Sequence, residues 1–302
     1  MREQLQNLLE QRVRQYVSQA RNNLHDCPFI EKAKESCSNR GAEIVKTKAE
    51  GKITNEGKNE EGEEVFYQVH YNFLIKQQNS FFIEERVENR KAEFYKGVLV
   101  TDEELSFDSL GVSKEKEMLV ENTNVIDRIE NSDGEEERKV FRYDRLRAVQ
   151  YAERWWNDYN PAYKSFEVDC TNYISQCVHA GGAPMHGYAN RSKGWWMRSN
   201  NWSYSWSVAN SMRLYLPSSK TGLRAKEVKE PSQLSLGDVI CYDFQGDGRF
   251  DHTTIVTAKD AQGMPLVNAH TTNSRMRYWA YEDSTAYTSN IKYKFFTILD
   301  DQ

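Results

Sequence analysis

The sequence predicts an α+β protein in which helices and antiparallel strands occupy separate stretches of the chain. Residues 2–25 carry apolar side chains on one helical face, and residues 42–112 contain a series of strand-like segments. Further on, a short helix that begins at Cys170 comes before three strand-like segments in residues 234–270. Strands that follow one another without intervening helices pair as antiparallel neighbours, so both halves are expected to pack helices on antiparallel sheets.

The length of 302 residues allows two domains of ordinary size. We expect a small helix-plus-antiparallel-sheet domain at residues 1–130. A second domain at residues 140–302 is expected to pack the helix that bears Cys170 on an antiparallel sheet. Residues 130–139 are charged and lack apolar anchors, which predicts a linker, although a solvated loop inside one domain has the same composition.

Charge and cysteine usage narrow the range of partners and compartments. The net charge is −5 and the basic residues form no stripe, which argues against a nucleic-acid partner. The N-terminal residues mix charges with leucines, which argues against a signal peptide or a membrane span there. Five cysteines leave at least one thiol free, as is usual in a reducing compartment. We therefore expect a cytoplasmic protein with no membrane partner, or a cell-wall-associated one if a signal segment has been removed.

The first half of the chain offers a core but little chemistry. Its helix has an apolar face, and a polar turn is expected at residues 54–57. His70 lies in a predicted strand, where a lone histidine is usually structural. Cys27 and Cys37 have no second pair nearby, and a zinc site wants four ligands. The predicted strands are Glu43–Thr47, Val65–Ile75, Ser80–Val87 and Lys91–Leu99.

The helix that begins at Cys170 has well-marked ends. Asp169 can cap it, and the glycine pair at residues 181–182 supplies the stop, so about ten residues are expected. A thiol in the first turn feels the positive end of the helix dipole, which lowers its pKa. Asp169 acts in the opposite direction, because a neighbouring negative charge raises the pKa of a thiol. A reactive Cys170 therefore needs a further cation, and a histidine from elsewhere in the chain is the best source.

Other segments complete the second half. Trp195 and Trp196 stand in an aromatic region, where tryptophans either line a substrate groove or fill the core. The turn at residues 243–251 resembles a calcium loop in its acidic residues, but a threonine stands at the last ligand position, so a hairpin turn is the better interpretation. The remaining predicted helices and strands are Asp144–Trp156, Ser207–Leu216, Leu234–Phe244, Thr253–Ala258 and Leu266–His270.

Two predicted strands carry the histidines that could serve Cys170. His252 begins one strand, and Asn268 and His270 share a face of the next because side chains two apart point alike. In cysteine catalysis an imidazole takes the proton of the thiol, and a third polar group holds that imidazole in place. The alternative is that Cys170 is a buried helix residue and His252 a turn residue.

These segments resemble the bacterial putative amidase domain family, whose members are papain-like enzymes related to NlpC-type and CHAP cell-wall hydrolases. The resemblance covers about residues 140–300. It rests on Asp-Cys-Thr-Asn-Tyr-Ile-Ser-Gln at 169–176, Ala-Gly-Gly-Ala-Pro at 180–184, the tryptophan segment at 195–206, and Leu-Gly-Asp-Val-Ile at 236–240 with Asp-His-Thr-Thr-Ile-Val at 251–256. The chain differs from the family at residues 167–168, which are Glu-Val where a Gly-Gly pair is usual. The resemblance implies a papain-like C-terminal domain that requires no metal or organic cofactor.

The resemblance also implies roles for individual residues. Cys170 matches the nucleophile and His252 the general base, while His270, or else Asn268, matches the third catalytic position. The oxyanion is expected to be held by the Cys170 backbone N–H and by one upstream side chain. That side chain is Tyr163 or Lys164. The residues expected beside the substrate are Asp169, Asn172, Trp195 and Trp196.

Two functional classes follow from this reading. The first is a cysteine amidase or peptidase that hydrolyses an amide through an acyl-thioenzyme, with a peptide or a peptidoglycan stem peptide as substrate. The second is a binding module that holds a peptide or glycan on its tryptophans without turnover. Retention of both Cys170 and His252 favours the enzyme, because a binder has no need of that pair.

Overall fold

A computed structural model describes residues 1–18, 28–59, 62–105 and 141–301. The predicted linker at 130–139, the end of the predicted first helix and Cys27 lie outside the described residues.

The N-terminal part packs two helices on antiparallel strands. Its core joins apolar residues of both helices, such as Leu5 and Ile30, to Val69 and Phe73 of the sheet. The helices are α1, Arg2–Val17, and α2, Pro28–Asn39. The strands are β1, Ala42–Asn59, β2, Gly62–Gln77, β3, Ser80–Tyr95, and β4, Val98–Glu104.

The C-terminal part surrounds one buried helix with further helices and strands. The helices are α3, Arg145–Trp155, α4, Cys170–Ala180, α5, Tyr204–Ser207, and α6, Ala209–Ser218. A short hairpin is formed by β5, Met197–Arg198, and β6, Asn201–Trp202. The main strands are β7, Ala225–Val228, β8, Val239–Asp243, β9, His252–Lys259, β10, Pro265–Ala269, β11, Ser274–Tyr278, and β12, Lys292–Ile298.

Within the described residues, the two parts share one antiparallel sheet of ten strands. Its order is β1-β2-β3-β11-β10-β9-β8-β12-β7, and β4 pairs with the free part of β3. The junction lies where β11 meets β3, with Ser274 opposite Arg86 and Arg275 opposite Glu85. Only β11 therefore separates the N-terminal strand β3 from β10, the strand that leads into His270.

The strands around α4 present two distinct faces. On the first, which we call the helix face, Cys241 pairs with Thr253, and Cys241 and Ile255 pack in the same core as Ile174 of α4. On the opposite face, which we call the far face, Tyr242 and Val256 belong to a separate core. His252 pairs with Tyr242, so alternation along β9 directs its ring to the far face.

The α+β class predicted from the sequence is confirmed, and α4 spans the predicted residues. Two expectations for the N-terminal part are wrong. Residues 54–57 lie inside β1 instead of forming a turn, and Lys91 begins no new strand because β3 continues to Tyr95. Helix α2 has no counterpart among the predicted elements. Long two-stranded pairing overrides weak local turn preferences. No helix in the described ranges is long and apolar enough to cross a membrane.

Candidate active site

Helix α4 begins at Cys170 against the end of β10. The hydroxyl of Thr271 accepts hydrogen bonds from the backbone N–H groups of Asp169, at 3.0 Å, and of Cys170, at 3.1 Å. Asp169 occupies the predicted N-cap position of α4. Its side chain makes no capping hydrogen bond, so the prediction that this side chain caps the helix is wrong. The Thr271 hydroxyl takes the place of the Asp169 side chain as acceptor for the backbone N–H groups at the helix end. Such an acceptor is needed because unpaired N–H groups in a buried turn cost free energy.

The sulfur of Cys170 lies beside the start of β9. Its Sγ is 3.7 Å from the hydroxyl of Thr171 and 4.0 Å from the backbone oxygen of Asp251. Thr253 donates its hydroxyl hydrogen to the Thr171 hydroxyl at 3.1 Å. The thiol is therefore held between the first turn of α4 and the residue that precedes His252.

Burial governs the ionisation of Cys170. The side chain is 2% exposed, and burial raises the pKa of the Cys170 thiol above its ordinary value. Hydrogen bonds from the Thr171 hydroxyl and from backbone N–H groups lower this pKa by less, and the charge of Asp169 raises it further. The expected lowering by the helix dipole is thus outweighed, because desolvation penalises a thiolate more than a helix terminus stabilises it. The resting thiol is protonated at neutral pH.

His270 is paired with the residue that precedes the cysteine. Its Nδ1 is 2.9 Å from Oδ2 of Asp169, its Nε2 is 2.7 Å from the backbone oxygen of Trp155, and its ring stacks on Tyr173 with centroids 4.0 Å apart. A carbonyl oxygen can only accept, so Nε2 carries a hydrogen. A hydrogen also lies between Nδ1 and the carboxylate of Asp169, so both ring nitrogens of His270 are engaged with oxygen atoms.

Asn268 lies on the helix face and is fully engaged there. Its Oδ1 accepts from the Thr257 hydroxyl at 2.8 Å and from the Met276 backbone N–H at 2.9 Å. Its Nδ2 donates to Oε1 of Glu153 in α3 at 2.9 Å. The amide therefore ties β9, β10, β11 and α3 together.

His252 occupies the far face of the sheet. Its ring is 5.4 Å from the ring of Tyr281, 5.6 Å from that of Tyr242 and 6.0 Å from that of Phe244, measured between centroids. Burial, and then the positive charge of Arg277, lower the pKa of His252 to about 3. The imidazole is therefore neutral at neutral pH. The structure brings Cys170 next to the strand of His252, while His270 and Asn268 lie on the other face from the His252 ring.

The tryptophans predicted to line a groove are buried. Trp195 and Trp196 are 0% and 1% exposed. Trp195 donates its indole N–H to the Ser175 hydroxyl at 2.9 Å, and Trp196 donates to the Lys193 backbone oxygen at 3.1 Å. This burial favours the core-filling interpretation that the sequence left open. Contact between either indole and a substrate stays a prediction.

Asn172, also predicted beside the substrate, is a buried hub below Cys170. Its Oδ1 accepts from the Trp206 indole at 2.8 Å, and its Nδ2 donates to Asp169 at 2.8 Å and to the Lys164 backbone oxygen at 2.9 Å. These bonds fix the loop that leads into α4.

The remaining sequence candidates have structural partners. The Tyr163 ring stacks on Trp206 at 6.0 Å, and the Lys164 ammonium lies 5.0 Å from the Trp202 ring. The Asp243 carboxylate accepts three backbone N–H groups of the turn, from residues 246 to 248, as a hairpin requires. His70 pairs with Glu85 at 2.9 Å. Across the described ranges, no group of three or more histidine, cysteine, aspartate or glutamate side chains could hold a metal ion.

Comparison with known proteins decides the family. The sequence pattern of the putative amidase domain matches residues 142–296, which is more than half of the chain. The chain belongs to the putative amidase domain family. It is 49% identical to the uncharacterized protein YhbB of Bacillus subtilis strain 168 over 307 aligned residues, which cover 98% of this chain and 96% of that protein. It is 33% identical to the uncharacterized protein YjcM of the same strain over 140 residues, covering 43% of this chain and 31% of that protein. No solved structure matches the chain.

The matched range of the family domain contains the four candidate catalytic residues, which are Cys170, His252, Asn268 and His270. Sequence reasoning missed Thr271 and the backbone oxygens of Asp251 and Trp155. Thr271 directly follows His270 in the sequence, and a hydroxyl residue at that position could have been recognised as part of the site. Backbone oxygens leave no sign in a sequence, because every residue supplies the same backbone carbonyl group whatever its side chain.

Proposed function

We propose that the protein is a cysteine-dependent amidase or peptidase that hydrolyses an amide bond through an acyl-thioenzyme, with Cys170 as nucleophile and His252 as general base. The observation that carries this proposal is the position of the Cys170 sulfur, 4.0 Å from the backbone oxygen of Asp251. Asp251 directly precedes His252, so the thiol stands at the start of the strand that supplies the base. Membership of the putative amidase domain family supports amide hydrolysis as the reaction class.

The two histidines differ in their ability to accept a proton. His252 is a neutral imidazole, since its pKa is lowered to about 3. His270 directs one ring nitrogen at a carbonyl oxygen and the other at a carboxylate, so both of its nitrogens are engaged. Of these two histidines, His252 is the proposed acceptor of the thiol proton. Its ring lies on the far face at rest, so the transfer uses a rotation of the side chain or a bridging water.

The reaction then follows the general course of cysteine catalysis. The thiol proton moves to His252 as sulfur attacks the carbonyl carbon, and the resulting oxyanion collapses while the imidazolium protonates the leaving amine. Water, deprotonated by His252, cleaves the thioester and releases the carboxylic acid. The Cys170 backbone N–H already donates to Thr271, so it serves the oxyanion only when that bond opens or is shared. Tyr163 and Lys164 remain the proposed side chains for the oxyanion.

His270 is proposed as the third member of the site, acting through Asp169. Its ring nitrogen bonds the carboxylate of Asp169, which raises the pKa of the Cys170 thiol, and so holds that carboxylate in place. Asn268 holds the strands on which the histidines stand, and its role as an alternative third member stays a prediction. A cysteine at a helix start, packed on an antiparallel sheet, also supports a papain-like arrangement for this part of the chain.

For the substrate, we propose a peptide, with stem peptides of peptidoglycan as the first class to test, and no metal or organic cofactor. The cellular site follows from that substrate and is either the cytoplasm or the cell wall. The second candidate function is a binding module without turnover. It is favoured by one observation, which is that the Cys170 thiol is buried and protonated at rest.

Incubation with peptidoglycan fragments and a panel of acyl amides, followed by mass spectrometry, separates the two functions. The wild-type enzyme should release an amine and carry a transient acyl mass on Cys170, whereas Cys170→Ser should release nothing. Cys177→Ser is the matched control, because Cys177 lies two turns further along the same helix. Binding of fragments without product or adduct would replace the amidase with the binding module.

A further inference from the structure

Two cations and three aromatic rings form a cluster that includes part of the loop leading into α4. The Lys164 ammonium lies 5.0 Å from the centre of the Trp202 ring and 5.9 Å from that of the Phe166 ring. The Arg191 guanidinium lies 4.9 Å from the centre of the same Trp202 ring and 5.0 Å from that of Tyr204. The Phe166 and Trp202 rings meet edge to face, with centroids 4.8 Å apart. We call these five residues the basic aromatic cluster.

Hydrogen bonds tie this cluster to residues before and after the candidate nucleophile. The Phe166 backbone N–H donates to Oδ1 of Asp169 at 2.9 Å, and the Lys164 backbone oxygen accepts from Nδ2 of Asn172 at 2.9 Å. The Trp202 side chain packs against the core on the helix face, which also contains the apolar side chains of α4. The basic aromatic cluster therefore lies on the same side of the sheet as α4 and is anchored to the first turn of that helix.

The two cations of the cluster are exposed and have no ion-pair partner in the described part of the chain. Arg191 donates from Nε to the Trp202 backbone oxygen at 3.1 Å, and its Nη1 and Nη2 groups have no acceptor among the described residues. Glu167 is the acidic residue closest in sequence to Lys164, and no described ion pair joins these two side chains. Residues 170–226 carry seven lysines and arginines but no aspartate or glutamate, although the whole chain has a net charge of −5. The surface around the cluster is therefore locally positive.

The ring contacts restrain the two cations before any ligand binds. A long side chain loses conformational entropy when it pairs with an anion, and a side chain that already rests on a ring loses less. Attraction to an aromatic face leaves the charge of the cation intact, so the charge stays available to a ligand. The Trp202 ring is already contacted by Lys164, Arg191 and Phe166, so it is no free platform on which a nucleic-acid base could stack. These features favour a carboxylate as the ligand group.

We propose that the basic aromatic cluster binds an acidic side chain of a peptide substrate, with the Arg191 guanidinium and the Lys164 ammonium as partners of the carboxylate. Arginine suits this role because its planar N–H groups can donate to both carboxylate oxygens. The inference rests on the amidase proposal for the identity of the ligand as a substrate, and it names acidic peptides as the substrate class. With Lys164 engaged in this way, Tyr163 is the oxyanion side chain of the two proposed above.

The test uses Cys170→Ala protein, which cannot turn over, and two peptides of the same shape that differ by one charge. N-acetyl-Ala-Glu-Ala-amide carries a carboxylate, and N-acetyl-Ala-Gln-Ala-amide does not. Calorimetric titration should give saturable binding of the glutamate peptide and at least fivefold weaker binding of the glutamine peptide. Arg191→Gln should weaken binding of the glutamate peptide at least threefold. Lys220→Gln is the matched control, because Lys220 is an exposed cation of the same acid-free segment outside the cluster, and it should leave this affinity unchanged.

Equal affinity for the two peptides, no saturable binding of the glutamate peptide, or an unchanged affinity in folded Arg191→Gln protein would overturn the assignment. Tighter binding of a short oligothymidylate than of the glutamate peptide would assign the cluster to nucleic acid instead. Urea unfolding of each variant establishes that it is folded. If wild-type protein cleaves neutral peptides as efficiently as acidic ones, the cluster assignment fails while the amidase stands. If binding depends on Arg191 but wild-type protein cleaves no amide, the cluster stands and the amidase fails.

Discussion

Asp169 and His270 form a buried hydrogen-bonded pair, with 2.9 Å between the carboxylate Oδ2 and the ring Nδ1, directly before the candidate nucleophile. The residues are 101 positions apart in the chain, and the pair joins the start of α4 to the end of β10. The second ring nitrogen of His270 bonds the Trp155 backbone oxygen at the end of α3. One imidazole ring therefore joins three elements around Cys170.

His270→Ala should destabilise the protein, because it leaves Asp169 as a buried carboxylate with one hydrogen-bond partner fewer. A loss of about 1–3 kcal/mol in the free energy of unfolding is expected. His270→Asn should lose less, since its side-chain N–H₂ can stand in for Nδ1–H and still donate to Asp169. Urea unfolding measures both. Equal losses for the two variants would contradict a role for the bond to Asp169.

Alkylation of Cys170 by iodoacetamide should accelerate with pH and keep rising above pH 9. The reason is that burial raises the pKa of this thiol, whose ordinary value is 9.0, so thiolate appears only in alkali. Mass-spectrometric mapping at each pH gives the rate, with the fully buried Cys177 and Cys241 as internal references that react more slowly. A rate that is already constant between pH 5 and pH 8 would mean a preformed thiolate–imidazolium pair and would refute this assignment.

His252 should make the protein less stable in acid. Its folded pKa of about 3 lies below the ordinary 6.5, so between these values the unfolded chain binds a proton that the folded protein does not. Stability from this group is present above pH 6.5 and is lost as pH falls. Relative to His252→Gln, wild-type protein should lose up to about 1.4 kcal/mol per pH unit from pH 6 to pH 4. Urea unfolding at each pH measures the difference, and parallel curves would show that His252 titrates normally.

Gly194→Ala should disturb the loop that seats Trp195. Gly194 has a φ of +66°, and an added Cβ would overlap the backbone oxygen of His186, which accepts from the Trp195 N–H at 2.8 Å. Gly263 offers the matched control, with a φ of +79° and no described atom within 4 Å of an added Cβ. Gly263→Ala should cost about 1–2 kcal/mol for its left-handed backbone alone.

Gly194→Ala should cost clearly more than Gly263→Ala and shift tryptophan fluorescence, because the backbone must also move. The free energies of unfolding of the two variants provide the comparison. A Gly194→Ala variant as stable as Gly263→Ala would mean that the hairpin around Trp195 relaxes without cost.

The sequence predicted the local features of the site well, since these depend on neighbours in the chain. The spacing of Tyr173, Ile174 and Cys177 and the glycines after Ala180 defined α4 to within a residue, because helix ends follow from local backbone chemistry. Alternation likewise placed Asn268 and His270 on one face. Those inferences needed no long-range contact.

What the sequence by itself determined is the α+β class, the cysteine at a helix start and the family of the domain. Only the tertiary structure decided that burial raises the pKa of the Cys170 thiol, that His270 is held by Asp169 and Trp155, and that the His252 ring faces a cavity bordered by the N-terminal part. Desolvation and ion pairing depend on groups that are distant in the chain and adjacent in space. The same composition and spacing could have left Cys170 exposed, so the chemistry of this thiol was set by packing.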